Sequence, residues 1–411
     1  MDQMLRADAD AIVQQAIAAV LPDEAVRRAL AGFTPGPGRL LLVAAGKAAW
    51  QMAHAAVECL GGQLSAGVVV TKYGHVREPL PHCTCYEAGH PVPDENSFRA
   101  TRAALDLVEK AGKDDTVLFL LSGGGSALFE QPLIPGAELQ DITSQLLACG
   151  ADIVEMNTVR KRLSGVKGGR FAEACAPARV FAVILSDIIG DPLDMIASGP
   201  ACPDPTTCAD ALAVAEKYRL RLSEQAMACL RRETPKRLDN VESHITGSVR
   251  ELCAAAAEAC KARGYTPVLL TDRLCCQAKE AGSFLASVLR THENPAAPLA
   301  FLAGGETVVR LIGTGLGGRN QELALAAAEG IAGMAHAAVF SVGSDGTDGP
   351  TDAAGGYVDG ETLDALAAKG LRVHDVLAAN DAYHALQAVG GLLVTGPTGT
   401  NVNDVAVALV R

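Results

Sequence analysis

The stretch VLFLLSGGGSALFEQP, Val117–Pro132, decides the fold. Its first five residues are apolar without alternation, which suits a strand buried on both faces of a parallel sheet. Three consecutive glycines then stand between Ser122 and Ser126, and Pro132 limits any following helix to about a turn or two. Glycine costs conformational entropy, so three together call for a reason. A tight turn uses one or two of them, whereas an anion seated against bare N–H groups uses all three. On these residues alone, Ser122, Gly123, Gly124, Gly125 and Ser126 read equally as a structural turn or as an anion nest.

Seven further runs share the character of Val117–Leu121. They are RLLLVAAG (Arg39–Gly46), GVVVTK (Gly67–Lys72), RVFAVILSD (Arg179–Asp187), TPVLLTD (Thr266–Asp272), PLAFLAGG (Pro298–Gly305), AAVFSVGSDG (Ala337–Gly346) and GLLVTG (Gly391–Gly396). Alanine-rich helical stretches separate them, the pattern of an α/β fold. Each run is expected to be buried on both faces. Their C-terminal ends read Gly46-Lys47, Ser122–Ser126, Ser186-Asp187, Gly304-Gly305-Glu306, Gly343-Ser344-Asp345 and Thr395-Gly396. Ligands of open parallel sheets bind outside the carboxyl ends of the strands. Small, polar and charged residues at so many such ends point to an enzyme or a ligand-binding protein.

At 411 residues the chain is too long for one ordinary core. A polar, proline-containing stretch at Arg231–Asn240 suggests domains over residues 1–235 and 236–411, each with a mostly parallel or mixed sheet flanked by helices. A net charge of −12 argues against nucleic acid and anionic membrane surfaces as partners. The twelve cysteines include no C-x-x-C and are expected to be reduced, in a cytoplasmic protein. Met1–Leu21 carries four charges in its first ten residues and reads as an amphipathic helix, not a signal peptide. No apolar run approaches the length of a membrane span. His75, His82, Cys83, Cys85 and His90 raise the question of zinc, but Cys-x-Cys without a second pair is poor ligand spacing, and an ordinary loop is the expectation. Nothing in the chain specifies its oligomeric state.

Asn157–Arg170 (NTVRKRLSGVKGGR) gathers Arg160, Lys161, Arg162, Lys167 and Arg170 with no acid among them. A solvated helix face would mix signs. Ser186–Asp194 (SDIIGDPLD) and Ser344–Asp352 (SDGTDGPTD) each offer three aspartates in a Gly/Pro-containing loop without EF-hand spacing. Any one of them reads more readily as a turn cap. Together, basic cluster, glycine nest and aspartate loops are the parts of phosphoryl transfer, with Mg²⁺ needing only one or two protein carboxylates. A rival motif is Gly313–Gly318 (GTGLGG), which matches G-x-G-x-x-G after the apolar run Thr307–Ile312 and before ELALAAAEGI. It suggests a nicotinamide-dependent dehydrogenase, with Asp345 standing in for the ribose-binding acid. Arg319 and Asn320 interrupt that loop-to-helix junction, and Asp345 lies further on than the usual spacing of about 20 residues. G-x-S-x-G and H-E-x-x-H are absent, so no nucleophile–base motif competes.

The stretches LSGGGSAL (Leu121–Leu128), NTVRKRLSGVKGGR, SDIIGDPLDMIASGP (Ser186–Pro200), GGETVV (Gly304–Val309), GGRNQELAL (Gly317–Leu325) and SDGTDGPTDAAGG (Ser344–Gly356) resemble the type-2 glycerate kinases. The similarity runs from AAGKAAW (Ala44–Trp50) to TGPTGTNVND near the end, nearly the whole chain. It implies a two-domain enzyme with a C-terminal MOFRL domain that phosphorylates D-glycerate with ATP and Mg²⁺, most often on the 2-hydroxyl. ATP and glycerate would meet in a cleft between the domains. Some relatives have been called hydroxypyruvate reductases, the alternative activity, NAD(P)-dependent. The resemblance also implies that Lys47 is the essential lysine and Arg319 the active-site arginine. Arg160, Lys167 and Asn320 are further candidates for substrate or phosphate. Asp187, Asp191 or Asp345 is expected to hold the metal, and one of these neighbouring aspartates, with Asp187 the catalytic candidate, to accept the substrate's hydroxyl proton.

Overall fold

The computed structural model describes residues 2–411 of the chain, all but Met1. Two compact units emerge, each with its own six-stranded sheet. The first covers Pro22–Thr246. Its strands are β1 (Leu40–Ala45), β2 (Leu64–Lys72), β3 (Cys83–Ala88), β4 (Thr116–Leu121), β5 (Arg179–Leu185) and β6 (Val241–Gly247), in the order β3-β2-β1-β4-β5-β6. β1 through β5 pair in parallel. Every residue of β1 and β4 is buried, because helices cover both faces of the sheet. The order reverses between β1 and β4, and the loops leaving their carboxyl ends begin at Gly46 and Ser122. Such a reversal is where open α/β sheets hold ligands.

The second unit joins Gly247–Arg411 to the N-terminal segment ending at Leu21. It contains β7 (Thr266–Leu274), β8 (Leu299–Gly305), β9 (Ala337–Gly343), β10 (Gly355–Asp359), β11 (Leu392–Leu393) and β12 (Asp404–Val410), ordered β11-β10-β9-β12-β8-β7. β7 and β8 are parallel, while β12 runs antiparallel to both β8 and β9. The ends of β8 and β9 therefore lie beside the start of β12, where Asp404 pairs with Gly305 on one side and Gly343 on the other. The helix Gln3–Ala19 is capped by Asp2, whose carboxylate accepts from the amides of Met4 and Leu5. It buries Leu5, Ala9, Ile12, Val13, Ala16 and Ile17 against Leu252, Cys253 and Ala256 of the helix Val249–Ala262.

All eight expected runs form strands, but not all are buried. β7 is an edge strand, and Val268, Leu269 and Leu270 are exposed. A sheet edge lacks a neighbour on one side, so its apolar content does not guarantee cover. Contacts divide the chain after Thr246 rather than near residue 235, because β6 completes the first sheet. β3, β6, β10 and β12 belong to no run quoted above.

Candidate active site

Lys47 sits just past the carboxyl end of β1, and its backbone is tied to two neighbouring strand ends. Its N–H donates to the Gly123 carbonyl at 2.9 Å. Its carbonyl accepts from Thr71 Oγ1 at 3.2 Å and from His75 Nδ1 at 3.1 Å. The next amide, Ala48, donates to Ser122 Oγ at 3.1 Å, so Ser122 is a buried brace for this turn. The Lys47 ammonium makes no hydrogen bond or ion pair with any described residue. A fixed backbone thus presents an unpaired point charge at the reversal of strand order.

The glycine run is explained in part by packing. A Cβ on Gly123 would lie 2.3 Å from Asp187 Oδ2, and one on Gly125 would lie 2.7 Å from the Ala197 Cβ. Gly124 has φ +85° and faces Lys47 Cγ and the His90 ring, each 3.0 Å from where its Cβ would be. So the missing side chains first admit protein atoms, among them the Asp187 carboxylate and the Lys47 stem, to the loop. Gly125 is buried like Ser122, leaving Gly123, Gly124 and Ser126 at the accessible side. His90 is held neutral: burial lowers its pKa, and the charges of Lys47 and Lys72 add to the effect.

Most of the basic cluster is not available to a substrate. Lys161 is buried against Asp194 (3.1 Å) and Asp204 (3.2 Å), and Arg162 against Asp204 (3.4 Å) and Glu233 (3.4 Å). Arg170 donates to the carbonyls of Lys161, Arg162 and Ser164. Lys167, expected at the substrate, is fully buried and bonded to Glu130 at 2.5 Å and the Phe129 carbonyl at 3.2 Å. Burial draws its pKa down to about 8 against the pull of Glu130. Its role is structural, and it has a measurable consequence. Glu130→Gln leaves the lysine charge buried without a counter-ion and should cost about 3–5 kcal/mol, whereas Glu130→Leu with Lys167→Met should cost much less. Urea unfolding measures both; a Glu130→Gln protein as stable as the parent would refute the buried pair. Arg160 differs from its neighbours. Nη2 reaches the Ser126 carbonyl at 3.3 Å, and its buried Nε has no partner in the protein.

The loop after β5 is backbone-strained. Asp191, Ala197 and Ser198 have φ of +54°, +50° and +61°, outside the range that side chains favour. Ser198 Oγ donates to Asn157 Oδ1 at 2.8 Å, joining the loop to the helix Ile153–Leu163 that carries Arg160. Asp191 Oδ1 is buried with no hydrogen-bond partner. Asp194 is held by Lys161, whereas Asp187 lies against Gly123 of the glycine loop. Asn157 and Ser198 each lie within a quoted motif, but nothing in those motifs distinguishes a structural asparagine or serine. Cys83 and Cys85 lie on β3, and burial pushes their thiols up, Cys83 to about 12, so they are poor metal ligands at neutral pH.

In the second unit, Arg319 opens the helix Arg319–Gly330. Its Nε and Nη2 fork onto the two Asp404 oxygens at 2.5 and 3.0 Å, and Nη1 meets Glu306 Oε1 at 2.8 Å. Burial works against the charge, but Asp404 and Glu306 outweigh it and raise the pKa. A guanidinium has five N–H donors. Three are taken here, and the side chain stays one-third exposed, so two donors remain for a ligand. The helix start is fixed by Asp348, which accepts from the amides of Asn320 (3.1 Å) and Gln321 (2.8 Å). Asn320, expected at the substrate, is buried with its amide between Asp348 and Ser341 Oγ; it positions the helix instead. Asp345 Oδ1 accepts from the Thr347 N–H and hydroxyl, a local turn. Among the described residues, no group of three or more His, Cys, Asp or Glu is arranged to hold a metal.

Gly313–Gly318 lacks the context of a dinucleotide loop. Thr307–Ile312 forms no strand beyond one bridge from Val308 to Gln277. A Cβ on Gly313 would lie 2.1 Å from the Ala379 carbonyl oxygen, and one on Gly315 2.5 Å from the Asp381 Cβ. The Asn380 side chain accepts from the amides of Ile312 and Gly313, both at 2.8 Å. These glycines let two loops pack together, and protein atoms already occupy the faces a pyrophosphate would approach.

Comparison with known proteins gives the chain's family. Residues 8–231 match a family described as a domain of unknown function, DUF4147, and residues 299–404 match the MOFRL family. A D-glycerate 2-kinase of Thermotoga maritima is 52% identical over 405 residues, covering 97% of each chain. A crystal structure of glycerate kinase from the same organism superposes with a TM-score of 0.95 at 51% identity, over 99% of each chain. A relative from Agrobacterium vitis named as a hydroxypyruvate reductase is 40% identical over 91% of this chain and 87% of its own.

Proposed function

Because the chain belongs to the glycerate kinase family with a C-terminal MOFRL domain, we propose that it transfers the γ-phosphoryl group of ATP to D-glycerate, at the 2-hydroxyl. The observation that carries this reading is Lys47: a lysine with an immobilised backbone and an unpaired ammonium where β1 and β4 diverge. In the first unit, Arg160 and the accessible part of the glycine loop, Gly123, Gly124 and Ser126, receive the substrate's anionic end. Asp187 lies against that loop and accepts the hydroxyl proton as the bond to phosphorus forms. Lys47 supplies positive charge to the phosphoryl oxygens. In the second unit, Arg319 offers its two remaining donors, oriented by Asp404 and Glu306, to a phosphate oxygen of the nucleotide.

Mg²⁺ fits the first unit through Asp191, whose buried Oδ1 has no partner in the protein. A single carboxylate suffices for an ion whose other ligands are water and phosphate oxygens. When bound, the ion neutralises phosphate charge. Asp345 lends this little support, since its turn occupies it. The cytoplasm, where thiols stay reduced, is the compartment that suits twelve free cysteines.

³¹P NMR of the purified protein with ATP, Mg²⁺ and D-glycerate tests the reaction and its position together. The expected product is 2-phosphoglycerate. A 3-phosphoglycerate signal would overturn the position. No new phosphomonoester, with hydroxypyruvate-dependent oxidation of NADPH in the same preparation, would overturn the kinase.

A further inference from the structure

The second unit holds a cavity of about 340 Å³ that takes no part in the chemistry above. It is lined by Lys279, Arg310, Ile312, Glu322, Leu377 and Ala378, among others. The volume lies in the range of about 300–1,000 Å³ typical of small-molecule sites. Its walls divide by chemistry. Ile312, Leu377 and Ala378 are apolar, Ile312 being 67% exposed. Lys279 and Arg310 bring positive charge; Lys279 lies 4.0 Å from the Glu280 carboxylate, which also lines the cavity, whereas the Arg310 guanidinium pairs with no described residue.

Glu322 is the exception, a carboxylate 5% exposed. Oε1 accepts from Asn380 Nδ2 at 2.7 Å, while Oε2 has no hydrogen-bond partner among the described residues. Burial raises the pKa of this carboxyl, with Asn380 and Lys279 acting the other way. The arrangement is rigid. Asn380 also donates to the Arg310 carbonyl and accepts from the amides of Ile312 and Gly313, locking the wall to the floor. A fixed acceptor beneath apolar walls and under cationic side chains suits a flat, mostly apolar ring with an N–H donor, attached to an anionic group.

ATP has these features, and one residue of the cavity, Glu322, shares a helix with Arg319. Glu322 follows Arg319 by three residues on one helix, so the two side chains are neighbours on the same face. We infer that this cavity takes the adenosine end of ATP, with Glu322 Oε2 accepting a hydrogen bond from the exocyclic amine of adenine. The assignment rests on the kinase reading and adds to it a basis for nucleotide choice. Guanine presents a carbonyl at the same place, so two acceptors would face each other and GTP should be the poorer substrate.

Glu322→Gln tests the contact. Its amide oxygen can still accept from Asn380, while its NH₂ group turns a donor toward the nucleotide, favouring guanine over adenine. The ratio of kcat/KM for ATP to that for GTP should fall at least tenfold. Ala378→Trp fills the cavity from its exposed wall. By calorimetry with ADP its Kd should rise at least tenfold, with the KM for D-glycerate within about twofold of wild type. An unchanged ATP-to-GTP ratio in Glu322→Gln, or wild-type ADP affinity in Ala378→Trp, would overturn the assignment and leave the kinase reading standing. Failure of the kinase reading would look different: wild type itself would form no phosphoglycerate.

Discussion

Lys47→Ala should lower kcat by roughly 10³-fold while the protein stays folded. The size follows from the fraction of catalysis that one positioned charge supplies at a transferring phosphoryl group, about 10²–10³-fold or more. Retention of the fold follows from the contacts. Everything that anchors Lys47 is backbone: its N–H on Gly123, and its carbonyl under Thr71 and His75. Alanine keeps all three bonds. The ammonium pairs with nothing, so removing it uncovers no buried carboxylate, and Tm should move by no more than about 2 °C. Since charge develops as phosphoryl transfer proceeds, the loss should fall on kcat more than on the KM for D-glycerate. Steady-state kinetics with a thermal melt decide the matter. Turnover within tenfold of wild type would remove Lys47 from the mechanism.

How far the chain announces this site depends on which interactions are local. β1 and β4 are legible because each is an uninterrupted apolar run, and a strand covered on both faces has no other composition available. The residues that follow them, Lys47 and Ser122–Ser126, are then placed by the topology of parallel sheets alone. β3 (CTCYEA) and β6 (VESHITG) escape because edge strands tolerate polar residues, and β7 misleads for the converse reason. β12 (DVAVALV) is different: it is buried throughout, and its apolar residues are as plain as those of β1 and β4.

Charge is harder to read than hydrophobicity. Lys161, Arg162 and Lys167 resemble Arg160 in sequence. They differ because Asp204 and Glu130, 30 to 45 residues away, neutralise them in the interior. Pairing across such a separation leaves no periodic trace. The glycines pose the same difficulty, since a missing side chain does not say what fills its place. At Gly123 the answer is the Asp187 carboxylate, and at Gly313 it is the carbonyl of Ala379. The first brings a carboxylate against the loop, whereas the second leaves no room for a nucleotide in the G-x-G-x-x-G match.

Arg319→Lys should cost roughly 10²–10³-fold in kcat although the positive charge is kept. Lysine offers a point charge on a flexible stem, where arginine offers a planar fork. Here the fork is engaged on both Asp404 oxygens, and that engagement aims the remaining donors outward. An ammonium can meet Asp404 or a phosphate, but not both with the same geometry. Arg319→Ala should lose at least as much activity. It should also lose about 3–5 kcal/mol of stability, because Asp404 is buried and would be left without its partner. That second effect obscures a simple comparison of rates, since a poorly folded protein also turns over slowly. Added guanidinium ion separates the two roles. The space vacated in Arg319→Ala remains walled by Asp404 and Glu306, which attract a small planar cation in the orientation the side chain had. At millimolar guanidinium, too dilute to denature, kcat should recover at least tenfold, and wild type should show no gain. Recovery of stability without recovery of turnover would make Arg319 a structural counter-ion to Asp404 and leave the phosphoryl group to other residues.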